Sequence, residues 1–275
     1  MSDSPPQALS DPVGGVSDPV PQSVSVPVPR RSAVGRLWAG FVGSAAYPGT
    51  TEDARTVRVM GVDLPLRATT ALFVATIVLL FDYSRTAIPK PILDLNLAAG
   101  ALRYQALERV MLFGLVPILV IVLAFRDRPS AYGLRLGDWR AGLSLALVGC
   151  ALMTPIVLLL ANFPSFAAYY AGSSARLADV ALTAVLDLTP SEFLFRGFLM
   201  FTLLRSMGPV GLVVAQLPFV FSHLSKPELE LFSTLFGGLV YGWVNWRTGS
   251  IIWSVLPHVY IVTLAITLSA AFHPV

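Results

Sequence analysis

A chain of 275 residues that is 55% hydrophobic and only 13% charged lies far from soluble domains, in which about 25% of residues are charged. A mean hydropathy of +0.70 and several apolar windows near the ~20 residues that span a bilayer define an all-α protein, a polytopic membrane helical bundle; the windows lack strand alternation, which argues against a β-barrel. The net charge of +3 rests on arginines in short loops, where the positive-inside rule accounts for it and nucleic acid is not implied.

Residues 1–35, with PP, DPVGG, DPVPQ and VPVP, read as a disordered Pro/Ser-rich cytoplasmic tail. Residues 36–63 read as an interfacial or linker segment, with a short apolar patch from Leu37 to Tyr47. There is no basic region followed by an apolar core, so a cleavable signal peptide is not expected. The membrane domain is expected over 64–275. Its first spans are predicted at about Leu64–Tyr83, Leu107–Phe125 and Ala141–Ala161. The loop Arg126–Arg140 holds four arginines and should be cytoplasmic. From Leu177 either one kinked helix runs to Arg205 or two helices meet near Pro190, with Thr189 as N-cap. Further spans are expected at about Pro209–Leu224, Leu229–Trp246 and Ser250–Phe272, giving about 7–8 transmembrane helices. Gly238 and Gly242 form a small-xxx-small pair suited to close helix packing. The single cysteine, Cys150, reads as a small buried hydrophobe.

The stretch TPSEFLFRGFLM places Glu192 and Arg196 one helical turn apart in apolar sequence. Charge within a bilayer costs about 2.5–3.5 kcal/mol per residue on insertion scales, so it must be paired, face a polar cavity or do chemistry. His223 and His258 also lie in apolar runs. If a turn falls at Gly208-Pro209, Glu192 and His223 lie on the order of 24 Å from it on antiparallel helices, at equal depth; counting leaves His258 nearer mid-membrane. Each has a bland reading: an i,i+4 ion pair, an interfacial histidine, a helix–helix hydrogen bond. Together, a carboxylate and a histidine can hold and deprotonate water, and Arg or His can stabilise an oxyanion. The reaction class these groups point to is hydrolysis of a carbonyl compound.

SEFLFRGFL, PFVFSHL and GLVYGWVNWRTGSIIWSVLPHVYIV resemble the three-motif region of the CPBP superfamily, which holds type II CAAX prenyl proteases and bacteriocin-processing proteins. The resemblance covers about 180–265. Its motifs, Glu-Glu-x-x-x-Arg, Phe-x-x-x-His and His-x-x-x-Asn/Asp, fall on Ser191-Glu192-x-x-x-Arg196, Phe219-x-x-x-His223 and His258-x-x-x-Val262. The resemblance implies catalytic roles for Glu192, Arg196, His223 and His258 and a pocket that includes Ser191, Phe219 and Val262. It implies no metal, although two histidines and a glutamate can also ligate zinc. Two positions depart: Ser191 stands where the water-activating glutamate is expected, and Val262 where the oxyanion-binding Asn is expected. A serine hydroxyl is no general base near neutral pH, and losing the base costs about 10²–10⁴-fold. Glu192, or Asp187 four residues before Ser191, could replace it.

The resulting expectation is an intramembrane endopeptidase in the plasma (inner) membrane, hydrolysing a membrane-anchored peptide or a prenylated C-terminal segment. The alternatives are a non-catalytic homologue that binds a membrane peptide or lipidated tail, and a transporter with a Glu/His proton relay.

Overall fold

The computed structural model describes residues 50–84, 100–170 and 177–273, with backbone only for 100–104. The expected N-terminal tail, the Leu37–Tyr47 patch and the connection around Pro89–Pro91 lie outside the described residues. Apart from one short hairpin, the described chain is a bundle of helices.

The hairpin pairs β1 (Thr56–Val59) with β2 (Val62–Pro65), Arg58 opposite Asp63. Met60 and Gly61 both have positive φ, 51° and 86°, the signature of a two-residue hairpin turn. This hairpin was not expected from the sequence, and it takes Leu64 and Pro65 out of the first predicted span.

Helix α1 (Leu66–Ser84) follows directly. Helix α2 (Gly100–Arg109) continues without a break through a π-helical stretch (Val110–Leu115), α3 (Val116–Leu119) and a second π stretch (Val120–Ala124). Asp138 caps α4 (Trp139–Leu160) by accepting a hydrogen bond from the Ala141 amide at 3.2 Å. A short helix, α5 (Pro164–Tyr170), packs Phe166 and Tyr170 on α4 and on the last helix.

The question at Pro190 resolves as one continuous rod. Helix α6 (Leu177–Glu192) runs through Pro190, becomes π-helical over Phe193–Met200, and ends as α7 (Phe201–Met207). All eight residues of the π stretch are buried. Six of them, all but Arg196 and Gly197, belong to the main core with Phe113, Tyr132, Phe219 and Ile251. Helices α8 (Val210–Phe221), α9 (Glu228–Thr248) and α10 (Ile252–Phe272) complete the bundle. Helix α9 packs closely on α8 where Gly238 meets the Gln216 side chain, whose Nε2 donates to the Thr234 carbonyl at 2.9 Å. Helix α10 packs against α4 and α6.

Among the described residues, four helices are long and apolar enough to cross a membrane: Leu66–Ser84, Gln105–Ala124, Trp139–Leu160 and Ile252–Phe272. The all-α membrane bundle is thus what the chain forms. The expected count of 7–8 spans rests in addition on the buried α6–α7 rod, the shorter α8 and the more polar α9.

Candidate active site

The α6–π junction sets the site. Glu192 is the last residue of α6 and is completely buried. Its Oε1 accepts from Arg196 Nη1 at 2.9 Å and lies 2.7 Å from His258 Nδ1. Its Oε2 accepts from Ser254 Oγ at 2.8 Å. A buried carboxylate is tolerable only when donors compensate its lost hydration, and here three donors from two helices do so. Ser254 and His258 are spaced i,i+4 on α10, so both face the same carboxylate. Behind Ser254 stands the buried Asn245 of α9, whose Nδ2 donates to Ser254 Oγ at 2.8 Å.

Arg196 is itself 2% exposed. Its guanidinium carbon lies 3.5 Å from the centroid of the Phe219 ring, a cation–π contact in a dry setting. Its Nη2 meets no hydrogen-bond partner among the described residues, nor does Asn245 Oδ1. The Phe219 ring also meets His223 at 4.5 Å and His258 at 6.3 Å between centroids. The Tyr241 ring lies 5.5 Å from that of His258.

His223 lies in the turn after α8, and its Nδ1 is 2.8 Å from the Phe219 carbonyl. A carbonyl oxygen only accepts, and so does a carboxylate oxygen. Both His223 and His258 therefore carry the proton on Nδ1 when neutral, leaving Nε2 as an acceptor.

The depth argument paired Glu192 with His223. The hydrogen bond from a histidine to Glu192 instead comes from His258, and His223 reaches the cluster through the Phe219 ring. Uniform α-helical counting does not hold along this rod, because the π stretch has a wider turn that begins at Phe193. Ser191 donates its hydroxyl to the Asp187 carbonyl at 2.7 Å. The Asp187 carboxylate points to another partner, accepting from Arg109 Nη1 at 2.9 and 3.1 Å. Val262 lies one turn beyond His258 on α10 and is half-buried. Ser254 and Asn245 escaped the sequence reading, although the amide in the apolar run YGWVNW and the i,i+4 spacing of Ser254 to His258 were visible signals. Among the described residues no group of three or more His, Cys, Asp or Glu converges as a metal set.

Residues 173–264 match the family model described as type II CAAX prenyl endopeptidase Rce1-like. That range contains every residue of the Glu192 cluster. The match is consistent with the CPBP superfamily and supports, at family level, an intramembrane protease; with the apolar helices it supports an integral membrane protein. No match was found among curated proteins or among solved structures.

Proposed function

We propose that the chain is a CPBP-type endopeptidase that cleaves a membrane-anchored or prenylated peptide near its C-terminus, with His258 in place of the missing first glutamate as general base. The observation that carries this reading is the 2.7 Å contact between His258 Nδ1 and the buried Glu192 carboxylate. A carboxylate on Nδ1 fixes the imidazole tautomer and orientation, and it stabilises the imidazolium that forms when Nε2 takes a proton. His258 Nε2 removes a proton from water, the hydroxide adds to the scissile carbonyl, and the oxygen becomes an anion. The unpartnered Nη2 of Arg196 is the donor for that oxyanion, a role for which Val262 has no group. Collapse of the tetrahedral intermediate breaks the C–N bond, and the imidazolium returns the proton to the leaving amine. His223, with Nδ1 held by the Phe219 carbonyl, offers a second ring nitrogen to the water.

Asp187 is the weaker replacement base, since its carboxylate already serves Arg109. The expected setting is the inner membrane, with no metal invoked. A non-catalytic reading, in which the pocket holds a peptide or lipidated tail, is favoured by one observation: the Ser191 hydroxyl is turned back onto the Asp187 carbonyl.

The test compares C-terminal peptides of membrane proteins from cells with the native chain, His258→Ala and Asp187→Ala, at matched expression. Trimmed termini that vanish with His258→Ala and persist with Asp187→Ala support the mechanism. Termini that never differ, while the native chain co-purifies with specific membrane partners, establish the binding protein instead.

A further inference from the structure

The geometry points to the loop between the spans Gln105–Ala124 and Trp139–Leu160 as a built docking platform for anionic phospholipid headgroups. A connection between two spans lies at the membrane–water boundary by construction. This one is fixed rather than loose. Asp138 N donates to the Thr248 carbonyl at 2.8 Å, and Ile251 N to the Gly133 carbonyl at 3.1 Å. Arg135 Nε donates to the Gly249 carbonyl at 2.9 Å, and Trp253 Nε1 to the Leu136 carbonyl at 2.8 Å. Gly137, at φ +57°, lies so close to the Thr248 carbonyl that any Cβ would collide with it. The loop is thus stapled to the turn between α9 and α10.

What the loop presents is both cationic and apolar. Arg126, Arg128 and Arg140 are exposed, as are Leu134, Leu136 and Trp139. The two acids of the loop are engaged elsewhere. Asp127 lies 3.6 Å from Arg67 and 3.5 Å from Arg205. Asp138 caps α4 and pairs with Arg247 at 2.9 Å. The Arg128 amide donates to Asp127 Oδ1 at 3.0 Å, but the guanidinium groups of Arg126 and Arg128 form no ion pair among the described residues, and the Arg140 guanidinium lies 5.6 Å from the Trp139 ring centroid. Arginines beside an exposed indole and leucines match a phosphodiester lying above acyl chains. The staples carry the consequence inward, because the turn they hold begins the helix that bears Ser254 and His258. This inference stands independently of whether the pocket cleaves.

The full chain in nanodiscs of phosphatidylglycerol and phosphatidylcholine tests it, by native mass spectrometry of retained lipid. The expected result is preferential retention of phosphatidylglycerol, falling on the order of five-fold per arginine in Arg126→Gln and Arg128→Gln. Arg55→Gln, at a surface arginine paired with Glu52, should leave retention unchanged. Should the loop variants fail to insert, brominated lipids decide in the native chain against Trp139→Phe. Quenching of the Trp139 contribution by the brominated glycerol lipid, and less by the choline lipid, upholds the platform. Equal quenching, equal retention of both lipids, or retention unaltered by the arginine substitutions overturns it.

Discussion

Two arginine–carboxylate clusters lie within the bundle, and they are built in opposite senses. Around Glu192 one carboxylate receives three donors, from Arg196, His258 and Ser254. Around Arg109 one guanidinium serves two carboxylates: Nε and Nη2 donate to Asp82, each at 3.0 Å, and Nη1 to Asp187. The first cluster is dry, with side-chain exposures of 0% for Glu192 and 3% for Arg196; the second is wetter, at 20% for Arg109 and 26% for Asp187. The sense of each cluster decides what is left over. A carboxylate hub has both oxygens occupied and leaves Arg196 Nη2 buried without a hydrogen-bond partner among the described residues. An arginine hub occupies its donors and ties three helical segments together. Under the proposed mechanism the first arrangement serves chemistry and the second anchoring.

The sharpest way to break this contrast is to remove the carboxylate hub. Glu192→Ala leaves Arg196 charged, buried and uncompensated, which costs about 3–5 kcal/mol. Chemical denaturation in detergent should show it. The double variant Glu192→Gln/Arg196→Met should recover much of that loss, because no charge then remains unpaired. A double variant as unstable as the single one would mean that packing around Phe219, not charge, dominates the site.

Ser254→Ala comes next. It strips one hydrogen bond from a carboxylate and leaves the Asn245 amide without its acceptor, at a cost of about 1.5–3 kcal/mol. Under the His258 mechanism it should also lower kcat with little change in KM, since Ser254 orients Glu192 and does not touch the peptide. Equal losses in kcat and in substrate binding would argue that Ser254 lines the substrate groove.

Much of this contrast was legible in the sequence, but not its wiring. The apolar windows gave the spans to within a few residues, as with Ala141–Ala161 against Trp139–Leu160, because hydropathy reports length directly. Glu192, Arg196 and His258 stood out because charge and imidazole in apolar runs need an explanation. Which histidine bonds Glu192 was not readable, because equal depth along two helices does not say which ring turns toward the carboxylate, and the bond comes from His258 on a third. The hub at Arg109 was invisible because its partners lie 27 and 78 residues away and no local spacing links them. The hairpin at 56–65 was missed, although VRVMGVDL alternates over a Met-Gly turn, because the strands are only four residues each.

Against the dry hub, the arginine hub should be forgiving. Asp187→Asn leaves Arg109 with both of its Asp82 contacts, so the expected cost is only about 1 kcal/mol. Combining it with Asp82→Asn should cost more than the sum of the two single changes, since residues sharing one partner are not additive. Strict additivity would mean that Arg109 is already well served by water.

The smallest effect belongs to a third kind of pair, at the surface. Asp138 accepts from the Ala141 amide at the start of α4 and pairs with Arg247. The backbone N–H, and then the guanidinium, hold its carboxyl below the ordinary carboxylate range. A depressed folded-state pKa contributes stability that is complete above the unfolded value, near 3.9, and is lost as pH falls through the lower folded value. Stability should therefore not respond to Asp138 between pH 7 and 5. Asp138→Ala should cost about 0.5–1 kcal/mol there, the loss of a cap and an exposed pair. Below pH 4 the native chain should converge on the variant. Were the difference between them instead to vanish at neutral pH in high salt, the contribution would be the Arg247 pair alone, because the cap hydrogen bond to the Ala141 amide is not screened by ions.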